Sequence, residues 1–129
     1  MSLRSGNLDA QNQPAEAPRL GLADARREPR FRLDVDIRID SRTSGVVMGR
    51  TVDISGSGIA AMLKLEVPLG EFVELQFTLP FGPVKVYATV RQRSAFRYGF
   101  QFVESHSAHE IIQATCRHLK LEQSLQRAR

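Results

Sequence analysis

The chain has 129 residues, which is enough for one domain at the usual roughly 100 to 200 residues per domain. Hydrophobic residues make up 42% and charged residues 25%, with a net charge of +4, so the composition excludes wholesale disorder and predicts one globular core. No apolar stretch is longer than the five residues 59 to 63, which predicts no membrane-spanning helix, no signal peptide and a cytoplasmic location.

The N-terminal segment and the first strand differ clearly in pattern. Residues 1 to 23 contain two prolines and no periodic apolar pattern, which predicts a disordered tail. From Phe31 to Asp40 apolar residues alternate with charged ones, and a period of two is typical of a strand with one buried face. The sequence therefore predicts a domain over residues 24 to 129 whose first strand begins at Phe31.

Five further strand signals follow, separated by turn sequences such as residues 41 to 45 (SRTSG). The strands are expected at about residues 46 to 52, 58 to 63, 73 to 79, 84 to 90 and 96 to 103. The last strand is expected to bury four aromatic side chains on one face: Phe96, Tyr98, Phe100 and Phe102. Six short strands without intervening helices predict an all-β fold, a six-stranded antiparallel β-barrel over about residues 31 to 103.

The C-terminal residues switch to a helical period. Ser107 followed by Glu110 is a capping-box pattern, and the apolar spacing after it predicts a C-terminal α-helix over about residues 107 to 126. Its first half is expected to cover the barrel with Ile111, Ile112, Thr115, Cys116 and Leu119. Leu121 and Leu125 extend further than a small barrel requires, so a partner protein or a second copy of the chain, forming a homodimer, could cover them.

Catalytic and metal-binding patterns are not found in the sequence. Cys116 is the single cysteine, and neither a carboxylate nor a second thiolate stands at metal-ligand spacing near it and His118. Asp34, Asp36 and Asp40 alternate with arginines on the polar face of the first strand, where an outer face crossed by ion pairs explains them better than catalysis does. The sequence therefore predicts no enzyme, no metal and no cofactor.

Arginine makes up 15 of the 18 basic residues, and the excess positive charge lies at the two ends of the chain. Residues 33 to 105 hold eight basic and eight acidic side chains. A guanidinium pairs with phosphates and guanine edges and stacks on bases, which favours an anionic, nucleotide-like ligand. Alternatively, the charges only keep a basic protein in solution.

Two short motifs remain. Arg26 and Arg30 form an R-x-x-x-R directly before the first strand, but chance alone predicts roughly one to two such pairs in so arginine-rich a chain. Asp53, Ser55 and Gly58 form a D-x-S-x-x-G between two strands, for which chance predicts roughly 0.03 matches. The second motif is the informative one, although an ordinary Asx or Ser turn with glycines would also account for it.

In this order the two motifs resemble the signature of the PilZ domain, the receptor module for the bacterial second messenger cyclic di-GMP. The resemblance covers about residues 24 to 126, and residues 99 to 103 (GFQFV) are similar to the family's last strand. It implies a six-stranded barrel with a C-terminal helix, which the periodicity predicts independently. It also implies that cyclic di-GMP is bound as a ligand, with no cofactor. The signal would be relayed to an unidentified effector protein in the control of motility, exopolysaccharide or virulence.

The resemblance also implies a role for each motif residue. Arg26 and Arg30 would contact guanine O6 and N7 or the phosphates, and Asp53 would accept the N1 and N2 hydrogens of guanine. Ser55 would bind a phosphate or orient the turn, and Gly58 would let the backbone approach the ligand. Secondary candidates for the same site are Arg27, Ser57 and Arg97.

The segment before the first strand is expected to respond to the ligand. Arg26, Arg27, Arg30 and Arg32 repel one another with only Glu28 to compensate, which predicts a mobile segment in the free protein. The bound nucleotide would then clamp this segment onto the barrel.

Two other binding functions fit the sequence less well. A PilZ-like interaction module that binds no nucleotide usually lacks the arginines or the D-x-S-x-x-G, and both are intact here. A single-stranded nucleic-acid binder exposes aromatic side chains for stacking, whereas the pattern places only Tyr87 outward. The sequence thus predicts no DNA or RNA partner.

Overall fold

The computed structural model describes residues 28 to 103 and 106 to 127, which form seven strands and one helix. The strands are β1 (Phe31–Arg32), β2 (Asp36–Ser41), β3 (Gly45–Ile54), β4 (Gly58–Leu63), β5 (Phe72–Leu79), β6 (Gly82–Ser94) and β7 (Arg97–Phe102), and the helix is α1 (His106–Arg127). The predicted tail, residues 1 to 23, lies outside the described residues.

Six of the strands close into an antiparallel barrel. Hydrogen-bonded neighbours follow the order β3, β2, β5, β6, β7 and β4, and β4 pairs back with β3 to complete the ring. β1 is a short extra segment that pairs with the end of β3, with Phe31 opposite Ile54 and Arg32 opposite Asp53. The predicted all-β class, a six-stranded antiparallel barrel with a C-terminal helix, is confirmed, with one strand more than expected.

The extra strand arises because the predicted first strand is interrupted after Arg32. The Thr51 hydroxyl of β3 fills the gap: it donates to the Leu33 carbonyl at 2.6 Å and accepts the Val35 N–H at 2.9 Å. From the Arg32–Asp53 pair to the Asp36–Arg50 pair, the chain advances four residues from β1 to β2 but only three along β3. Leu33 and Ile37 still point inward, so the alternation in sequence continues across the break.

The inward faces of the strands form one continuous core. Its most deeply buried side chains include Ile37, Ile39, Val47, Ile54, Ile59, Leu75, Val90 and Tyr98. The Tyr98 hydroxyl accepts the Val67 N–H at 3.1 Å, so this buried polar atom has a partner. The helix covers the barrel with Ala108, Ile112, Thr115, Cys116 and Leu119, with Ile111 half-buried, as predicted apart from the addition of Ala108.

The aromatic side chains differ from the sequence-based prediction. Phe96 lies in the turn between β6 and β7 and is 54% exposed, whereas Tyr98 and Phe100 are buried. The reason is that β7 begins only at Arg97: the left-handed residue Ala95 (φ 57°) turns the chain between the two strands, so Phe96 belongs to the turn although it continues the alternating pattern. Of the described residues, the aromatics that are more than half exposed are Phe72, Phe81, Tyr87 and Phe96, so Tyr87 is not alone.

The helix begins at His106, so Ser107 lies inside the first turn and not at the cap position that the sequence predicts. Leu121 and Leu125, which are 64% and 59% exposed, lie beyond the part of the helix that packs on the barrel. In the part of the chain that the structure describes, no helix is long and apolar enough to cross a membrane.

Candidate functional site

The D-x-S-x-x-G motif forms the connection between β3 and β4. Ser55 is fully buried, and its Oγ accepts the backbone N–H groups of Gly58 at 3.1 Å and Ser57 at 3.3 Å. The Ser55 N–H in turn donates to the Gly58 carbonyl at 2.8 Å, and the Phe102 N–H of β7 donates to the Ser57 carbonyl at 2.8 Å. Ser55 therefore holds the turn together from the inside, one of the two roles that the resemblance implies.

Gly58 is required by the neighbouring strand. A Cβ atom at this position would collide with the carbonyl oxygen of Phe100 in β7. Since that obstacle is backbone in the middle of a ladder, it has no easy way to move aside. The close approach that this glycine permits is thus an approach to β7, and an approach to a ligand stays a prediction.

Asp53, near the end of β3, is the residue on which two arginines converge. Arg30 donates to Oδ1 through Nε at 2.8 Å and Nη2 at 2.7 Å, and Arg97, the first residue of β7, donates to Oδ2 through Nη2 at 3.2 Å. The Asp53 side chain is 17% exposed, while those of Arg30 and Arg97 are 44% and 51% exposed. The carboxylate therefore binds both guanidiniums, while about half of each arginine side chain stays exposed.

Residues 28 to 32, here named the arginine strap, lie between this turn and the helix. The Glu28 carboxylate accepts a hydrogen bond from the Ser57 hydroxyl. A Cβ atom on Gly56 would lie 3.1 Å from Glu28 Oε2 and 2.8 Å from Gln113 Nε2 of the helix, so both side chains pack over this glycine. Specific contacts thus connect the strap to the turn and to the helix, and the mobility expected from charge repulsion in the free protein stays a prediction.

The structure brings most of the predicted site residues together. Within one site it places Arg30, Asp53, Ser55 and Gly58, together with the secondary candidates Ser57 and Arg97. Arg26 and Arg27 lie outside the described residues. The sequence did not predict that Glu28 binds Ser57, that Gln113 packs over Gly56, or that Gln123 of the helix binds the Arg32 backbone. Of these three residues only Glu28 stands out in the sequence, as the single acid among the strap arginines.

The Cys116 thiol is buried in the helix near the Glu28 carboxylate. Burial raises the pKa of the Cys116 thiol to about 11, and the nearby Glu28 carboxylate adds to the increase. The thiol is therefore protonated at neutral pH and is not a nucleophile. Among residues 28 to 103 and 106 to 127, no group of three or more His, Cys, Asp or Glu side chains could hold a metal ion.

A wide surface depression of about 830 Å³ lies elsewhere, between β2, β5 and β6, and shares no residue with the Asp53 site. Arg50 at its rim donates to Asp34 and Asp36, each at 2.9 Å. The hydrogen bonds to Asp36 and Asp34 raise the pKa of Arg50. These charges satisfy one another, so the predicted outer face of ion pairs is confirmed there, with Arg50 as the main partner of the aspartates.

Comparison with known proteins places this site in a family context. The PilZ domain model matches residues 24 to 118, which include both motifs. A search of curated proteins gave no significant match.

Three solved structures illustrate the likeness. The first is the PilZ domain with c-di-GMP of YcgR from Escherichia coli, with a TM-score of 0.64, 15% identity and coverage of 80% of this chain and 97% of that one. The PilZ domain of CeSA from a cellulose-synthesizing bacterium has a TM-score of 0.56, 15% identity and coverage of 74% and 98%. The Bacillus subtilis inhibitor of motility, MotI/DgrA, has a TM-score of 0.58, 20% identity and coverage of 70% and 49%. The structures share the fold and the family model covers most of the sequence, so the chain belongs to the PilZ domain family.

Proposed function

We propose that this PilZ domain is a cytoplasmic receptor for cyclic di-GMP and not an enzyme. The observation that carries the proposal is the convergence of Arg30 and Arg97 on Asp53, beside the turn of the D-x-S-x-x-G motif. Structures of YcgR carry the same nucleotide on the same fold, which supports the ligand's identity. The family resemblance adds Arg26 and leaves Arg27 and Ser57 as secondary contacts.

The charges of the site suit a ligand with two phosphates. The strap and its neighbours contribute the guanidiniums of Arg30, Arg32 and Arg97 against the carboxylates of Glu28 and Asp53. Guanidiniums pair with phosphates through two parallel hydrogen bonds and stack on bases. The cyclic dinucleotide would therefore find phosphate donors and a guanine-reading carboxylate within one site.

Ligand binding would replace an ion pair between Asp53 and an arginine by contacts with the nucleotide, and neither charged group would be left without a partner. Each Asp53 oxygen accepts an arginine in the free protein, so a guanine edge has to displace one of these donors. Half-exposed ion pairs of this kind contribute about 0 to 1 kcal/mol. The displaced guanidinium can bind a phosphate of the same ligand, so the number of charge-assisted hydrogen bonds is maintained or increased.

The exposed aromatic side chains favour one alternative function, the binding of single-stranded nucleic acid. Phe72 and Tyr87, however, stack on each other with ring centroids 5.1 Å apart, and the residue opposite Tyr87 in the sheet is Glu74. The two rings cover each other, and Glu74 lies beside Tyr87 on the same face of the sheet, which makes a poor platform for stacked bases and their phosphates. The cyclic dinucleotide is therefore favoured over DNA or RNA.

The output of the receptor would be a changed surface offered to another protein. Such a partner could contact the strap and the exposed end of the helix, with Leu121 and Leu125, since Gln123 connects this part of the helix to the strap. Control of motility, exopolysaccharide or virulence is part of the proposal, and the effector is unidentified. A second copy of the chain on the same helix is the alternative occupant.

Calorimetric titration with cyclic di-GMP, with single-stranded DNA as the contrast, tests the ligand. Arg30→Ala should cost about 2 to 3 kcal/mol, or roughly 30- to 150-fold in affinity, because a charge-assisted contact is lost. Arg42→Ala is the matched control, since Arg42 is exposed in the turn between β2 and β3, and it should change affinity less than about twofold. Equal losses at both positions would indicate a diffuse basic surface, and tighter binding of the DNA would reject the proposal.

A further inference from the structure

β1 has only two residues, and both of its edges are occupied. One edge pairs with β3, where Arg32 lies opposite Asp53. On the other side the carboxamide of Gln123 in the helix accepts the Arg32 N–H at 3.3 Å and donates from Nε2 to the Arg32 carbonyl at 3.0 Å. The helix therefore holds the backbone of the residue that stands directly beside the candidate ligand-reading carboxylate.

A primary carboxamide is suited to this position because it offers one N–H donor and one carbonyl acceptor, the same pair that a neighbouring strand would offer. Gln123 thus makes the two hydrogen bonds with Arg32 that a neighbouring strand would make on the free edge of β1. Two residues upstream, Arg30 is bound to Asp53. Fixing Arg32 from both sides limits where the chain can place Arg30, since the two residues are joined by a short extended segment.

We propose that Gln123 is a positioning residue for Arg30, through which the C-terminal helix forms part of the nucleotide site. This inference rests on the proposed function for its ligand, but the positioning itself exists in the free protein. The physical gain is preorganisation: the ligand meets an arginine whose backbone is already ordered, so less conformational entropy is lost on binding.

The matched variants are Gln123→Leu and Gln126→Leu. Leucine removes both hydrogen bonds of Gln123 at similar size. Gln126 is the same residue type in the same helix, but among the described residues its hydrogen bond goes to the Arg32 side chain, from Nη2 to Oε1 at 3.5 Å, and not to the strap backbone. Gln123 is half-buried against β1 and Gln126 is exposed, and neither belongs to the barrel core, so both variants should keep the barrel folded.

The first readout needs no ligand. Trypsin cleaves after arginine, so the bonds after Arg30 and Arg32 report whether the strap is held. Gln123→Leu should be cut there at least about fivefold faster than wild type, and its Arg32 amide should exchange faster, whereas Gln126→Leu should behave as wild type. Cleavage and exchange at the wild-type rate in Gln123→Leu would overturn the proposal.

The second readout is titration with cyclic di-GMP. Loss of the positioning contact should weaken binding about 5- to 10-fold in Gln123→Leu and less than twofold in Gln126→Leu. Arg30→Ala should cost less affinity in the Gln123→Leu background than in wild type, because an arginine that is no longer positioned has less to lose. Fully additive losses would show that Gln123 does not act through Arg30. If wild type binds no cyclic di-GMP, the proposed function fails, and the protease and exchange measurements still decide the role of Gln123.

Discussion

Asp53 orients two arginines in the structure, and in the proposed function it would also bind guanine. In the free protein its two oxygens hold Arg30 and Arg97 apart on either side of one carboxylate. The same oxygens have the spacing that accepts the parallel N1 and N2 hydrogens of guanine. Arg97 is the first residue of β7. Its contact with Asp53 therefore depends on the β4–β7 pairing, which places β7 beside Asp53.

Selectivity for guanine should depend on Asp53. Adenine presents an unprotonated N1 in place of the N1–H, so cyclic di-AMP should bind at least about 100-fold more weakly than cyclic di-GMP. Asp53→Asn should narrow this gap mainly by weakening cyclic di-GMP, because an amide offers one acceptor where guanine needs two. Paired titrations at one salt concentration measure the effect. Equal weakening of both dinucleotides in Asp53→Asn would leave Asp53 only the task of orienting the arginines.

Gly58 should be essential for stability rather than for ligand contact alone. Gly58→Ala drives a methyl group against the Phe100 carbonyl, so the free energy of unfolding should fall by about 1 to 3 kcal/mol. Gly99→Ala is the matched control, because its Cβ would meet the Gln92 side chain at 3.4 Å, an ordinary contact. Denaturant unfolding of both variants gives the comparison. Equal stability of the two would show that β7 can move away from the turn.

Among the elements, the β2–β3 hairpin is held from outside by Glu71, which directly precedes β5. Its carboxylate accepts the Ser41 hydroxyl at 2.7 Å and the Thr43 N–H at 3.0 Å, and Ser41 in turn accepts the Ser44 N–H at 2.9 Å. Partial burial raises the pKa of Glu71, but the hydrogen bonds from Ser41, Thr43 and Arg42 outweigh it, so the net pKa is lowered. One carboxylate thus organises a turn whose position the sequence predicts but whose contacts with Glu71 it does not.

A lowered pKa makes the hairpin sensitive to acid. The stabilisation by Glu71 is complete above its ordinary pKa of 4.5 and is lost as the pH falls through the lower pKa of the folded state. Glu71→Gln should therefore destabilise the protein at pH 7, and the difference from wild type should shrink toward pH 3. Unfolding curves at both pH values measure it, and Ser41→Ala should reduce the effect of Glu71→Gln. A constant difference at both pH values would contradict this role.

At the scale of the whole molecule, the site is formed where separate parts of the chain meet. The strap, the β3–β4 turn, the start of β7 and the helix each contribute a contact, and the charged groups are held by hydrogen bonds between these parts. A ligand bound there would connect elements that are far apart in sequence. Its effects should therefore reach the strap and the helix end together.

Hydrogen exchange should show this coupling directly. The amides of Glu28 and of residues 30 to 32 should exchange more slowly when cyclic di-GMP is bound, because the ligand adds contacts to Arg30 and fixes the strap. Residues 1 to 20 should keep the same exchange rates with and without ligand. Unchanged exchange at Arg30 to Arg32 on saturation would exclude the clamp mechanism, whatever the measured affinity.

The sequence by itself determined the barrel, the helix and most residues of the candidate site. Alternation such as that of Ile37 and Ile39 is a local consequence of a strand with one buried face. The D-x-S-x-x-G motif is rare enough by chance to indicate the β3–β4 turn from the sequence alone. Only the tertiary structure decided the break that Thr51 fills, the exposure of Phe96, and the contacts of Gln123. These depend on which strands and helix become neighbours, and a side chain's partner across 91 residues of sequence leaves no local pattern.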